Sequence, residues 1–291
     1  MFLKVSQFLS NLKGFHYLVV SAVLYSTVTI FVRFSVHVNV FTLTFFRFFF
    51  AFIFLSLFPQ FKEAFHVYKF RKSIKYLVFL AIVTCATSIS YFIAIKNTNI
   101  ANAVLLLYTA PIYVAILSPI FLKEKITSRI LLCLILSIFG IILIIDPYAI
   151  DVQSITFKGI FFGLLSGFFY SLVTITSRYL KKDIKESIQT IWTCFIAILL
   201  LLPFAFYISL YDILKNLLWF MLIGVFSTAI SIFLYFKGLK TVPASKASII
   251  MLLEPVCAMI LSFVFLSEVP KTVSIIGGIL ILSSSYILRY K

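Results

Sequence analysis

Acidic residues are scarce in this sequence: nine Asp and Glu stand against 25 Lys and Arg, and charged residues make up only 12% of the 291. With 63% hydrophobic residues and a mean hydropathy of +1.15, well above the ~45–50% apolar share of soluble domains, the apolar runs are not the core of a water-soluble protein. Histidine is rarer still. His16, His37 and His66 lie near the ends of apolar runs and never cluster, which argues against a His-based metal site or catalytic triad. Cys85, Cys133, Cys194 and Cys257 are spread singly, with no pair at metal-ligand or redox spacing, and read as small buried hydrophobes. No nucleotide-binding loop occurs, so a solute or proton gradient is the expected driving force and no cofactor is expected. No Gly-x-x-x-Gly face stands clear of the packing within the chain, and a monomer is expected. No cleaved signal is read, since no small-residue cleavage site follows the short apolar piece between Lys4 and Lys13; that first segment is expected on the cytoplasmic surface.

What the sequence has is ten apolar runs of about the ~20 residues that a membrane span needs. They cover residues 15–34, 41–58, 74–95, 103–122, 128–145, 159–177, 188–208, 217–236, 246–266 and 271–288. The runs are continuous rather than alternating, which excludes a transmembrane barrel, and the connections are short, which leaves no room for a soluble domain. The expected fold is all-α and integral to the membrane. In a soluble protein the formal charge of +16 would suggest nucleic acid. Here the basic residues sit between spans, where retention on the cytoplasmic side explains them, and no nucleic-acid partner is expected. With the N-terminus inside, the inner segments hold nineteen Lys and Arg and the outer ones five, Arg33, Lys96, Lys158, Lys215 and Lys271, with Arg47 left inside a span. Both termini are therefore expected in the cytoplasm of a multi-pass protein of the cell (inner or plasma) membrane. The cluster Lys62, Lys69, Arg71, Lys72 and Lys75 is topogenic in this reading, with contact to anionic lipid headgroups a by-product.

The chain also repeats itself. Tyr91-Phe92, Lys96, Ala103, Pro111, Ile116-Leu117-Ser118, Phe121-Leu122 and Glu124 recur 144 residues on as Tyr235-Phe236, Lys240, Ala247, Pro255, Ile260-Leu261-Ser262, Phe265-Leu266 and Glu268. At an offset of 145, Lys13-Gly14, Ser21, Tyr25-Ser26, Val28-Thr29-Ile30 and Arg33 recur as Lys158-Gly159, Ser166, Tyr170-Ser171, Val173-Thr174-Ile175 and Arg178. Residues 1–147 and 148–291 thus each hold five spans. Five is odd, so the second half enters from the opposite side, and the fold expected is ten transmembrane helices as two inverted five-helix repeats, an architecture of alternating access.

These features resemble the EamA-like branch of the drug/metabolite transporter superfamily. The resemblance rests on the Tyr-Ser first helix of each half and on a fourth helix with a mid-span Pro that ends in Phe121-Leu122-Lys123-Glu124 or Phe265-Leu266-Ser267-Glu268. It rests too on the Arg47 to Ala51 spacing and on Leu253-Glu254-Pro255-Val256. The resemblance implies a ten-helix inner-membrane carrier, often an exporter of amino acids or other small metabolites, with a central cavity lined from both halves. Arg47 has no counterpart in the second half, which reads Thr190-Ile191-Trp192-Thr193.

Glu254 is the one acid well inside a span, facing Ala110 in the first half. An ionised group there costs about 2.5–3.5 kcal/mol on insertion scales, so it either couples transport or binds substrate, or stands as a neutral acid hydrogen-bonded between helices. Arg47 lies ~9 Å below the outer boundary and Glu254 ~12 Å above the inner one. The two either pair directly or bracket a zwitterion, whose carboxylate suits a fork-shaped guanidinium. Pro111 and Pro255 each remove a backbone donor and free the carbonyls of Leu107 and Met251, either for packing or to line the cavity. Tyr25 with Ser26 and Thr29, and Tyr170 with Ser171 and Thr174, place hydroxyls for interhelical bonds or for substrate. Tyr108 and Tyr113 flank Pro111 and offer an aromatic wall. Glu124 and Glu268 are expected to serve structure, at the positive ends of helices starting near Thr127 and Thr272.

The function expected is a secondary transporter of a small metabolite, with an amino acid and export favoured, in contact with membrane lipid and coupled or not to protons; no enzyme activity is expected. A broad-specificity exporter of drugs or amphipaths is the alternative, with a channel or an intramembrane enzyme behind it. The topology is directly testable. Single cysteines introduced into the 35–40 and 146–157 loops react with an impermeant thiol reagent from outside intact cells, and those in the 59–73 loop do not; labelling of the latter from outside contradicts the orientation.

Overall fold

The computed structural model of the chain describes residues 14–35, 37–59, 73–98, 100–145 and 156–289. The expected surface segment before Gly14, the basic residues Lys62, Lys69, Arg71 and Lys72, and the loop acids Asp146 and Asp151 lie outside the described residues. Every described element is helical, as a chain in lipid requires, because only a helix or a closed barrel satisfies its backbone groups without water.

The helices in chain order are α1 (Gly14–Phe34), α2 (Val40–Ser56), α3 (Ile74–Asn97), α4 (Ile100–Leu107), α5 (Ala110–Leu122), α6 (Ser128–Ile145) and α7 (Phe157–Leu180). They continue as α8 (Glu186–Leu201), α9 (Leu210–Leu222), α10 (Ser231–Leu239), α11 (Ala244–Met251), α12 (Leu253–Leu266) and α13 (Thr272–Arg289). A 3₁₀ turn, Leu202–Phe206, extends α8, and a π-helix, Ile223–Ile230, joins α9 to α10. Among the described residues nine stretches are long and apolar enough to cross a membrane, and α2, with 17 residues, is a shorter apolar helix. Four of the nine are composite: Asn102–Leu122 runs through α4 and α5, Glu186–Phe206 through α8 and the 3₁₀ turn, Leu210–Leu239 from α9 through the π-helix to α10, and Ala244–Leu266 through α11 and α12.

Both mid-span prolines break their helices rather than bend them. α4 stops at Leu107 and α5 resumes at Ala110 with Pro111 in its first turn; α11 stops at Met251 and α12 resumes at Leu253, with Pro255 two residues on. A first-turn proline costs nothing there, since its missing N–H would have had no helical partner. The two proline-broken spans also end alike. Lys123 and Ser267 take left-handed φ values of 57° and 56°, and their N–H groups cap the carbonyls of Ser118 and Ser262.

Polarity runs opposite to that of a soluble domain. Exposed positions include Ile120, Leu131, Phe139, Leu214, Phe263 and Ile279, while Ser21, Thr42, Ser137, Ser171, Thr193 and Ser284 are buried. Small polar residues let helices approach closely and hydrogen-bond across the seam. Ser21 of α1 and Ser231 of α10 bond reciprocally to each other's carbonyls at 2.8 and 3.0 Å, and Ser137 of α6 meets Ser284 of α13 at 2.5 Å. The hydroxyls expected to bridge helices from Ser26 and Ser171 turn back instead, onto the carbonyls of Val23 and Phe168 in their own helices.

Packing joins the halves throughout. α1 lies against the π-helix, α10, α11 and α12; α7 lies against α3, α4 and α5; α2 packs on α8 and α6 on α13. Gly163 and Gly167 of α7 form the seat for the break between α4 and α5, and Gly159 seats the end of α3 at Asn97. A Cβ at Gly167 would stand 2.9 and 3.1 Å from the carbonyls of Leu106 and Leu107, so the freed Leu107 carbonyl is covered by α7. At the α6–α13 crossing, a Cβ at Gly277 would lie 2.9 Å from the Ile144 backbone nitrogen, whereas one at Gly278 meets nothing nearer than the Met259 Cε at 3.4 Å. Two adjacent substitutions should therefore diverge. In thermal unfolding, Gly277→Ala loses about 1–3 kcal/mol to overpacking, and Gly278→Ala is neutral or gains up to ~1 kcal/mol of helix propensity; equal effects contradict this packing.

Candidate functional site

The one arginine of α2 stands within charge reach of Glu254, at the second helix break. Arg47 is held from behind by the π-helix: Gly224 sits so close that a Cβ there would lie 3.0 Å from the Arg47 carbonyl and 2.6 Å from the Phe50 Cβ. A π turn widens the helix by one residue, and such turns recur at functional sites. Here Thr228 supports the wider turn by donating to the Ile223 carbonyl at 3.0 Å. The guanidinium carbon lies 5.1 Å from the centre of the Phe48 ring, and the buried Nε has no hydrogen-bond partner. Its electrostatic neighbours are Tyr25 on α1, Cys194 on α8, Glu254 on α12 and Cys85 on α3.

Glu254 is in the first turn of α12, where the helix dipole favours a negative charge. Its carboxyl shares a hydrogen bond with the hydroxyl of Tyr108, which lies in the break between α4 and α5. A side chain from one break thus bonds a side chain from the other. Arg47 acts on Glu254 through its charge, yet among the described residues the two are not within the 4.0 Å of an ion pair. Both are half-buried, as are Tyr25, Tyr91, Tyr108 and Tyr170, whereas neighbours such as Phe48, Ala51, Leu253 and Pro255 are buried. The polar groups therefore keep part of their surface uncovered among buried neighbours.

Tyrosines surround Glu254. Tyr25, Tyr91, Tyr108 and Tyr170 all stand within the electrostatic reach of Glu254. Tyr235 of α10 backs them, its hydroxyl 2.6 Å from the Thr174 Oγ1 and hydrogen-bonded to Tyr170, with the rings of Tyr170 and Tyr235 6.4 Å apart. Of the residues named from sequence, Tyr25, Arg47, Tyr108, Tyr170 and Glu254 come together here. Pro111 and Pro255 are buried behind the site as helix starters, and Tyr113 turns away, edge-on to Phe168 of α7 at 5.7 Å. Tyr91 and Tyr235 were legible only as members of the repeat, and no periodicity marks the π turn that seats Arg47.

Glu124 and Glu268 require a correction. Neither serves the helix that follows it. Glu124 accepts from the Ala244 N–H at 2.7 Å, capping α11 far along the chain, and from Arg178 Nε at 2.7 Å; Glu268 accepts from Arg33 at 2.8 Å. Charge placed at a helix start was the right physics for Glu124, but the helix belongs to the other half. Among the described residues no cluster of His, Cys, Asp and Glu is arranged to hold a metal ion. The apolar groove of about 240 Å³ between α12 and α13, lined by Met259, Phe263, Ile275 and Leu282 among others, offers no polar group.

A family model for the EamA-like transporter family matches residues 12–146 and again 157–290. An Archaeoglobus fulgidus protein named an uncharacterized transporter is 34% identical over 266 residues, covering 91% of this chain and 92% of its own. The Bacillus subtilis transporter YyaM, likewise called uncharacterized, is 25% identical over 222 residues, 73% of this chain and 72% of that one. A solved crystal structure superimposes with a TM-score of 0.79 over 94% of this chain and 95% of its own at 17% identity, a likeness of fold alone.

Proposed function

The chain belongs to the EamA-like transporter family, and on that footing we propose that it carries a small zwitterionic metabolite, an amino acid being favoured, across the cell membrane by alternating access, with export the favoured direction. The observation that carries this reading is the pair of opposite charges, Arg47 and Glu254, set among tyrosines within charge reach of each other and with no ion pair between them. A carboxylate fits the guanidinium, whose Nε lacks a partner, and an ammonium fits Glu254. Between substrates, Glu254 takes up a proton, which ties solute movement to the proton gradient. The tyrosine faces add apolar contact for the substrate's side chain and favour an amphipath exporter as the second reading.

The ten-crossing, inverted arrangement belongs to the same proposal, with α2 as the tenth crossing, halves at 1–147 and 148–291, both termini cytoplasmic and the monomer as the working unit. Exchange of each helix for its counterpart supports it: α1 on the third and fourth spans of the second half matches α7 on those of the first, and α2–α8 and α6–α13 map onto themselves. Such a relation lets one packing be traded for its mirror at the opposite face.

The test uses purified protein in liposomes, a mixture of labelled amino acids as probe and an imposed pH gradient. Glu254→Gln keeps shape and hydrogen bonding but not the proton, so it should exchange label across the membrane yet fail to accumulate it in response to pH. Arg47→Gln should weaken uptake about tenfold or more, the loss expected of a charge-assisted hydrogen bond worth ~1.5–3 kcal/mol. Unchanged pH dependence and affinity in Glu254→Gln would make that residue a structural hydrogen bonder only.

A further inference from the structure

Two crossed ion pairs join the halves, and the internal repeat relates one to the other. Arg33 closes α1 and Arg178 closes α7 at matching repeat positions; Glu124 and Glu268 follow the matching left-handed residues Lys123 and Ser267. Each arginine takes the glutamate of the opposite half: Arg178 with Glu124 and Arg33 with Glu268. The span Ala244–Leu266 fixes their separation. Glu124 binds the N–H of its first residue and Glu268 follows its last, and 23 residues at 1.5 Å each put the two crosses at opposite faces of the bundle, ~34 Å apart along that span.

The crosses are alike in chemistry and unlike in closure. Side chains of Arg178 and Glu124 are only 8% and 14% exposed, and they are tied twice more, Arg178 to the Leu239 carbonyl at 2.5 Å and Glu124 to the Ala244 N–H at 2.7 Å. Lys240 pairs with Glu186 at the same face. At the other face Arg33 and Glu268 are 64% and 49% exposed and hold one contact, 2.8 Å, and the counterpart of the Lys240–Glu186 pair is Lys96 over the ring of Phe41 at 5.6 Å. Breaking a buried, multiply bonded pair costs far more than breaking an exposed one, so the Arg178 face is locked and the Arg33 face is not.

We propose that these two crosses are the gates of the carrier and seal in turn: both pairs are made in the present state, but only Arg178–Glu124 is buried and tied to further backbone, and Arg33–Glu268 becomes buried and tied in the same way when the first opens. The repeat specifies the second state. The counterpart of the Ala244 N–H is that of Ile100, and the counterpart of the Leu239 carbonyl is that of Ile95, so in the reversed state Glu268 caps α4 and Arg33 binds the end of α3. Each gate then links the first helix of one half, through the glutamate of the other, to the third and fourth spans of its own half, and the fourth spans carry Tyr108 and Glu254.

This inference rests on the carrier reading, but its test needs no substrate. Spin labels at Lys125 and Lys182, both exposed, report on the Arg178 face, and labels at His37 and Val269, also exposed, on the Arg33 face. Cys257, half-buried where the other cysteines are buried, is changed to Ala for specific labelling. In the full chain in lipid nanodiscs, Glu124→Gln should lengthen the 125–182 distances and shorten the 37–269 distances together. Glu268→Gln, a milder change at an exposed site, should remove whatever population shows the reverse pattern and leave the 125–182 face shut. The proposal is overturned if Glu124→Gln leaves the 125–182 distances unchanged, or opens that face with no answering change at the other. Should Glu124→Gln fail to fold, growth of the reverse population in Glu268→Gln would overturn it as well. Reciprocal closing in a protein that moves no solute in liposomes would keep the gates and remove the carrier; transport with independent faces would do the opposite.

Discussion

A helix broken in mid-membrane leaves backbone groups that lipid cannot satisfy, and the rest of this molecule is arranged around two such breaks. The break before Pro111 is seated on the glycine face of α7, where Gly163 makes room for the Leu106 side chain and Gly167 lets the backbone carbonyls of Leu106 and Leu107 lie against the helix. The break before Pro255 presents Glu254 at a fresh helix start, and Tyr108 from the first break hydrogen-bonds it. Satisfying one break with the other concentrates polarity at the middle of a bundle whose surface is apolar. That concentration is what a carrier of polar solute needs and what a purely structural membrane bundle avoids.

Repetition supplies the frame and departures from it supply the site. The tyrosines come in related pairs, Tyr25 with Tyr170 and Tyr91 with Tyr235, whereas Arg47 and Glu254 are each present once. Among the described residues the π-helix is likewise confined to the second half, and it is the element packed on the Arg47 backbone. A charge pair built from unmatched positions has a direction. In a frame that otherwise maps onto itself, that asymmetry is the feature able to orient a zwitterion.

Most of the frame was legible in the sequence because it is written in the chemistry of continuous runs. The expected spans 103–122 and 128–145 meet Asn102–Leu122 and Ser128–Ile145, and 41–58 meets the 17-residue Val40–Ser56. The span expected at 217–236 falls short of Leu210–Leu239, because Asp212 and Lys215 in the first turns of α9 mimic a loop; Ser209 capping the Asp212 N–H at 3.1 Å makes them a helix start. Glu254 and Arg47 stood out as charges in apolar surroundings. The crossed pairs did not, although all four residues were visible as repeat positions, since helical periodicity speaks of neighbours on one helix and says nothing of a partner more than fifty residues away.

The central claim is that a single interior site faces one side of the membrane and then the other, and counterflow tests it most directly. Liposomes bearing the protein are loaded with an unlabelled amino-acid mixture and diluted into a trace of the same mixture labelled. A carrier returns from unloading with its site exposed to outside label, so the account predicts that internal label rises transiently above its equilibrium level. A monotonic approach to equilibrium, with no overshoot at any loading concentration, would mean a continuous pore and would contradict it.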